Sequence, residues 1–165
     1  MEKKDFFQMN IDIWKKIIDV QMHFNDMQMR VRNYAVLLLS AIIGVAGVSM
    51  KDNMISHLPF FGDVPLASVI LFLGAGIWLL FFFMDYFWYH KLLYGAVKKG
   101  VAMEKFLKQN FSHIDLTGEI GRSSPVKIAF FELHSSMKMI IFYCLGFVIL
   151  FCLAFATYFS YGRTH

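Results

Sequence analysis

The chain has 165 residues, is 58% hydrophobic and contains 19 phenylalanines, whereas soluble domains are about 45–50% apolar. Its formal net charge is +4, and its apolar residues are concentrated in three blocks. These properties exclude a separate soluble domain with a sizeable core and predict an all-α membrane protein with three transmembrane helices.

The first predicted element is a cytosolic amphipathic helix over residues 1–33. Its apolar residues recur at alternating spacings of four and three and form one stripe: Ile13, Ile17, Val20, Phe24, Met27 and Val31. A period near 3.5 residues favours a seam against the rest of the protein or a neighbouring subunit over a helix lying in the membrane surface.

The opposite face of this helix carries a candidate ligand-binding or partner-binding stripe, made of Asp19, His23, Asp26 and Arg30. Two carboxylates and an imidazole on one helical face are able to hold a divalent metal, and Asp26 and Arg30 have the spacing of a favourable ion pair. The alternative is a solvated stripe. We favour it, because no second cluster of ligands is evident in the sequence, and we predict no metal site and no cofactor.

The first predicted span covers residues 34–50. Small residues on one of its faces, Ser40, Gly44 and Gly47, allow another helix of the same subunit or of a second subunit to approach closely. Residues 51–65 form a short outer loop that turns at Asp52 and Asn53.

The second predicted span covers residues 66–84, and its helix continues as a basic rod to residue 108. Gly74 and Gly76 indicate a helix contact within the span, and Gly95 and Gly100 indicate close packing or a bend in the basic extension. His90 and Glu104 are further candidates for partner binding, but a helical surface position is the account we favour for both.

Residues 109–123 are predicted to be an irregular loop, followed by one helix from Pro125 to Tyr161 that contains the third span, residues 139–160. The chain is thus divided into the N-terminal helix and a three-span membrane domain over residues 34–160, with a helical cytosolic extension over residues 85–138. Cys144 and Cys152 lie eight residues apart on the last helix, too far from each other to form a disulfide.

The basic residues predict the orientation of the spans. Fourteen lysines and arginines precede the first span or lie between the second and third, whereas Lys51 and Arg163 lie on the other side. This asymmetry predicts a cytoplasmic N-terminus and an outer C-terminus. A basic surface beside a membrane suits anionic lipid, so membrane lipid is an expected partner and no direct nucleic-acid site is identified.

The sequence also restricts the chemistry. No predicted span contains a charged side chain in its apolar part, which disfavours proton relays, voltage sensors and coupled transporters. We find no phosphate-binding loop, nucleophile elbow or paired-histidine zinc motif, so we do not expect an enzyme. A pore needs none of these residues, but three helices enclose no water on their own, so a pore would require several copies.

Two stretches, VQMHFNDMQMRVRN before the first span and DYFWYHKLLYGAVKKGVAMEK after the second, are similar to small multi-pass membrane effectors found with bacterial antiphage defence genes. The nearest group is the membrane accessory protein of type VI-B CRISPR systems, which are RNA-guided and cleave RNA. The resemblance implies a homo-oligomeric pore that depolarises the bacterial inner membrane, with a CRISPR effector or an RNA-derived signal as its partner.

That group carries a degenerate pattern of arginine, four to six residues and histidine that is related to a ribonuclease superfamily. Here Arg122 and His134 are too far apart, and only Lys16 with His23 and Lys127 with His134 approach the spacing. Lysine does not replace arginine faithfully at a phosphate-contacting site. Nuclease activity is therefore not what the sequence favours.

The hypothesis we favour is a homo-oligomeric membrane pore or channel-like effector. The alternatives are a non-conducting, membrane-anchored sensor or interaction module, and a divergent membrane-bound ribonuclease that uses His23 or His134.

Overall fold

The computed structural model describes residues 3–60, 62–128 and 131–162. The chain is 81% helical, in agreement with the predicted all-α class. The helices of the described residues are α1 (Lys3–Lys51), α2 (Leu66–Phe83), α3 (His90–Leu107), α4 (Leu116–Ser123) and α5 (Ser135–Tyr161). Two short hairpins, β1 (Ile55–Leu58) with β2 (Gly62–Pro65) and β3 (Val126–Ile128) with β4 (Phe131–Leu133), complete the described structure.

Helix α1 joins two elements that the sequence analysis treated separately. The predicted amphipathic helix over residues 1–33 and the predicted span over residues 34–50 are parts of one uninterrupted helix. The sequence contains neither glycine nor proline before Gly44, and these are the residues that most weaken a helix interior. Residues 1 and 2 of the predicted helix lie outside the described residues.

The predicted rod over residues 65–108 is observed as a continuous helical path from Leu66 to Leu107. It contains one irregularity, the π-helical segment Met84–Tyr89 between α2 and α3. Together with α1 and α5, this path gives three helices among the described residues that are long and apolar enough to cross a membrane.

The hairpin of β1 and β2 occupies the stretch that was predicted only as a loop with a turn. Ile55 pairs with Pro65 and Leu58 with Gly62 in an antiparallel register. The turn predicted at Asn53 is confirmed, because Asn53 has a positive φ of 49°, a backbone conformation that asparagine tolerates better than most residues.

The sequence prediction of an unbroken helix from Pro125 to Tyr161 is wrong. Strands β3 and β4 pair from Val126 with Leu133 to Ile128 with Phe131, and α5 begins only at Ser135. Valine and isoleucine alternate with lysine in β3, a pattern that suits a strand, and Lys127 forms an ion pair with Glu132 across the hairpin at 3.2 Å.

The preceding stretch was also predicted incorrectly. Residues 109–123 are not wholly irregular, because α4 occupies Leu116–Ser123. Asp115 stands at its N-cap, although its side chain makes no capping hydrogen bond there.

The chain forms two compact units. The first unit consists of Met1–Arg30 and Asp85–Lys138, and the second consists of Val31–Met84 and Met139–His165. Helix α1 contributes to both units, and each unit is described by itself below.

The second unit has an apolar core. The indole nitrogen of Trp78 donates a hydrogen bond to the carbonyl oxygen of Tyr143 at 2.7 Å. Gly146 makes room for the same ring, since a Cβ there would collide with the indole. Near the other end of α2 and α5, the hydroxyls of Ser68 and Thr157 share a buried hydrogen bond at 2.7 Å.

Candidate functional site

The first unit differs from the second in having a core rich in polar groups. Its buried polar and charged side chains are Asn10, Gln28, Asp85, Glu104 and Thr117. Buried polar groups need partners, because an unpaired one costs about 1–3 kcal/mol. The hydrogen bonds of this core therefore define how α1, α3 and α4 pack.

Glu104 on α3 holds the beginning of α4. Its Oε1 accepts hydrogen bonds from the backbone N–H of Thr117 at 2.8 Å and from Nε1 of Trp14 at 3.2 Å, and its Oε2 accepts one from the N–H of Gly118 at 3.1 Å. The first N–H groups of a helix have no partner within the helix, and a negative charge at that end is favourable. The carboxylate of Glu104 thus supplies the cap that the side chain of Asp115 does not provide.

These contacts set the protonation of Glu104. Burial by itself raises the pKa of this carboxyl, but hydrogen bonds from Thr117, Gly118 and Trp14 outweigh burial and lower the pKa below its ordinary value. The group is therefore ionised at neutral pH although its residue is 2% exposed. The surface position considered for Glu104 is wrong, and the residue is committed to contacts inside the protein.

Gln21 forms the second polar contact of this core. Its Nε2 donates to the carbonyl oxygen of Ala96 at 3.3 Å and to the hydroxyl of Thr117 at 3.4 Å. A Cβ at Gly100 would collide with the side chains of Gln21 and Thr117. The close packing predicted at Gly100 is confirmed.

Asp115 anchors an ion cluster at the surface of α4. Its Oδ2 lies 2.6 Å from Nζ of Lys108 and 2.7 Å from a guanidinium nitrogen of Arg122, which also contacts Glu119 at 2.6 Å. The hydrogen bonds from Lys108 and Arg122 lower the pKa of Asp115, and the two carboxylates raise the pKa of the Arg122 guanidinium. Arg122 is thus paired with carboxylates at and near its own helix α4. His134, which follows β4, is exposed.

Gln28 and Asp85 form the third polar contact. The amide nitrogen of Gln28 donates to Oδ1 of Asp85 at 2.7 Å, with both side chains buried. Asp85 belongs to the π-helical segment, and such segments occur frequently at functional sites. In the sequence, Asp85 directly follows the second predicted span, residues 66–84.

A groove of about 800 Å³ opens beside these contacts on the first unit. Its lining comes mainly from α1 and combines apolar with polar and charged side chains: Asp5, Gln8, Met9, Asp12, Ile13, Lys16, Ile17, Val20, Ala96 and Lys99. Met9, Ile13 and Val20 are 43–46% exposed. The predicted apolar stripe is therefore only partly covered within one copy of the chain.

The predicted polar stripe lies on the exposed side of α1. Asp19, His23, Asp26 and Arg30 are all exposed, and Asp19 forms a loose ion pair with Lys16 at 3.6 Å. The predicted ion pair between Asp26 and Arg30 is absent from the described residues, because two exposed charges gain little from pairing. Within the described part of the chain no group of three His, Cys, Asp or Glu residues is arranged to hold a metal ion.

The remaining predicted site residues lie in three kinds of environment. His90 is half-buried, with its ring stacked 6.1 Å from that of Tyr86. Gly74 packs tightly in the second unit, where a Cβ would lie 2.7 Å from Ile42. The other small residues are exposed, and a Cβ at each of the glycines among them would meet nothing within 4 Å: Ser40, Gly44, Gly47, Gly76 and Gly95.

Sequence reasoning missed the residues that carry the polar core. Trp14, Gln21 and Gln28 are spaced seven residues apart, so they follow one side of α1. That spacing was readable beside the apolar stripe. The contacts of Thr117 and Gly118 have no comparable pattern in the sequence, because they depend on how α4 packs against α3.

No protein-family model, curated protein or solved structure matches this chain.

Proposed function

We propose that this chain is a multi-pass protein of the bacterial inner membrane with a cytoplasmic N-terminus, whose copies assemble into a membrane pore. The proposal takes residues 34–50, 66–84 and 139–160 as the spanning parts. Three long apolar helices support it, as does the concentration of basic residues on one side of the spans. Large apolar side chains on these helices are widely exposed, including Leu37 and Leu73, each 65% exposed, which suits contact with lipid.

The proposal that several copies assemble rests on one observation. Ser40, Gly44 and Gly47 lie on the exposed side of α1 within the proposed first span, and the space beside both glycines is open. Ser40 and Gly44 have the small-xxx-small spacing that lets the backbones of two membrane helices approach closely. The described helices of the same copy leave this face open, so a helix of a second copy is the natural occupant.

A pore built from this chain requires several copies. A single copy offers three spanning helices, and a water-filled channel bounded by protein needs more. A ring of copies supplies them and would let ions flow down the membrane potential. The resemblance to antiphage effectors adds the setting: depolarisation during infection, with a CRISPR effector or an RNA-derived signal as the trigger and membrane lipid as the constant partner.

The mass of the purified particle tests this proposal. We expect native mass spectrometry in mild detergent to give a closed assembly of several copies, and we expect cells with the activated protein to lose the signal of a potential-sensitive dye. Gly44→Leu with Gly47→Leu should reduce both the assembly and the loss of potential. Ala156→Leu, a comparable enlargement at an exposed position of α5, is the matched control.

A monomeric or dimeric particle in detergent and in liposomes would overturn the pore. An assembled particle with unchanged membrane potential after activation would overturn conductance alone.

The groove on the first unit favours a second candidate function. Its volume of about 800 Å³ is within the range of ligand sites, about 300–1,000 Å³, and would suit a non-conducting membrane-anchored sensor. Calorimetric titration with anionic second messengers, compared with a Lys99→Ala variant whose side chain lines the groove, tests this function. Binding by a particle that stays monomeric supports the sensor against the pore.

A further inference from the structure

Charged residues on α1 and α3 recur at intervals of seven. Helix α1 carries an acidic column made of Asp5, Asp12, Asp19 and Asp26, and α3 carries a basic column made of Lys91, Lys98 and Lys105. All seven side chains are exposed. Residues seven apart lie nearly on one line along a helix, about 10 Å from each other, so each column is a straight row of like charge.

The contacts inside the first unit place the two columns at the same levels. Gln21 of α1 bonds to the carbonyl of Ala96 on α3. Asp19 stands two residues before Gln21, and Lys98 stands two residues after Ala96. Because the two helices run in opposite directions, these two steps lead to the same level.

The other members of the columns match in the same way. Trp14 bonds to Glu104; Asp12 is two residues before Trp14, and Lys105 is one residue after Glu104. At the other end, Asp26 and Lys91 are each five residues from the contact of Gln21 with Ala96. Each of the three pairs of levels therefore agrees to within about one residue, or about 1.5 Å.

Although they share levels, the columns point away from each other. Two residues along an α-helix correspond to a rotation of about 200°. Asp19 is therefore on the side of α1 opposite Gln21, and Lys98, two residues before Gly100, is on the side of α3 opposite Gly100, which packs against Gln21. The acidic column lies on the side of α1 turned away from its polar contacts with α3, with Asp5 and Asp12 also lining the groove, and the basic column faces outward from α3.

Within one copy these charged side chains form few ion pairs, and those they form are loose. Lys15 and Lys16 on α1 lie near Asp12 and Asp19 at 3.5 and 3.6 Å, with all four side chains more than half exposed. Asp26, Lys98 and Lys105 form no ion pair with another described residue. His23 and Arg30 share the acidic face, while Tyr94, Gly95 and Ala102 flank the basic column, where Gly95 leaves open space.

We propose that the acidic column of one copy pairs with the basic column of the next copy. The inference rests on the proposed function, because it takes the copies to share one membrane and one orientation. Copies with that constraint stand at equal height, so the levels that match within one copy also match between neighbours. Opposite faces on one copy make the contact head-to-tail, which is the type of interface that closes into rings.

The acidic column is also continuous with the small-residue face of the proposed span. Continuing along α1 in steps of seven from Asp26 leads to Asn33, Ser40 and Gly47, all exposed. One side of α1 thus offers charge outside the span and small residues inside it. Exposed ion pairs add little affinity, so the columns set the partner face and the register, as complementary charges do at other interfaces.

Charge reversal tests the pairing in the full-length protein. We expect D12K/D19K/D26K to lose the assembled particle in native mass spectrometry, and K91D/K98D/K105D to lose it as well. Combining both sets in one chain should restore it. Lys127→Glu with Glu132→Lys, which reverses the exposed ion pair across the hairpin of β3 and β4, should leave the assembly intact.

Cross-linking tests the register directly. In a chain with Cys144 and Cys152 replaced by alanine, Asp19→Cys with Lys98→Cys should give a ladder of linked copies in liposomes with a short bis-maleimide. Asp19→Cys with Lys105→Cys, displaced by one heptad or about 10 Å, should give at least about tenfold less.

The outcomes separate this inference from the proposed function. An assembled particle that is insensitive to all reversals and shows equal cross-linking at both spacings overturns the pairing and leaves the pore standing. A wild-type particle that is monomeric overturns both.

Discussion

The indole nitrogen of Trp78 donates a hydrogen bond to the carbonyl oxygen of Tyr143 over 2.7 Å. Both side chains are buried in the second unit, and the ring lies where a side chain at Gly146 would otherwise be. A helix carbonyl and a glycine on α5 thus fix one aromatic ring of α2.

This arrangement predicts that Gly146→Ala destabilises the protein. The added methyl group would collide with the indole, and overpacking a core costs about 1–3 kcal/mol. Thermal unfolding in detergent should therefore show a lower midpoint. Gly76→Ala is the control, because its Cβ would meet nothing within 4 Å; equal midpoints for the two variants would contradict the packing described.

A second prediction concerns the cap of α4. Glu104→Ala leaves the N–H groups of Thr117 and Gly118 without their acceptor, and losing hydrogen bonds to a buried charged group costs about 2–3 kcal/mol. Hydrogen exchange at these two amides should accelerate strongly. Glu119→Ala removes an exposed carboxylate of the same helix and should leave their exchange nearly unchanged; acceleration of the same size there would argue against the cap.

The third prediction concerns pH. The folded pKa values of Glu104 and Asp115 are lowered from ordinary values of 4.5 and 3.8. A lowered pKa means that the stabilisation is fully present above the ordinary value and disappears as pH falls through the folded value. The first unit should hold its stability from neutral pH to about pH 5 and lose it progressively in more acidic solution.

Thermal unfolding between pH 7 and pH 3 measures this loss. Glu104→Gln removes the titrating group, so its midpoint should start lower and fall less steeply below pH 5. A variant with the slope of the wild type would show that Glu104 is not responsible.

A fourth prediction addresses the π-helical segment. Gln28→Met keeps the length of the side chain but removes the amide that donates to Asp85. Since the carboxylate is buried, the loss should cost about 1–3 kcal/mol. Gln8→Met, which removes an exposed amide that donates to Asp12, should cost much less. Equal unfolding midpoints for the two variants would contradict a stabilising role of the buried hydrogen bond between Gln28 and Asp85.

The helical elements were largely predictable because their signals are local. Three apolar blocks gave three long helices, and the lack of glycine and proline before Gly44 agrees with the length of α1. The hairpins were not predicted, because strands of three or four residues depend on pairing partners more than on their own sequence.

Glycine shows the same limit within the site. Gly95 and Gly100 both indicated close packing or a bend, yet of these two glycines Gly100 alone is closely packed, against Gln21 and Thr117. The difference lies in which side of α3 faces α1 and α4, and that side is set by contacts distant in the sequence. Glu104 was a candidate for partner binding for the same reason, since nothing local reveals that α4 covers it.

The three tryptophans of the chain occupy environments that differ enough to be distinguished by their fluorescence. Trp78 is 2% exposed in the second unit, Trp14 lies half-buried against a carboxylate in the first, and Trp88 is 61% exposed. Replacing Trp88 with phenylalanine would leave one indole emitter in each unit. Replacing either Trp14 or Trp78 in addition would leave a single emitter, whose fluorescence reports the unfolding of one unit at a time without any attached dye.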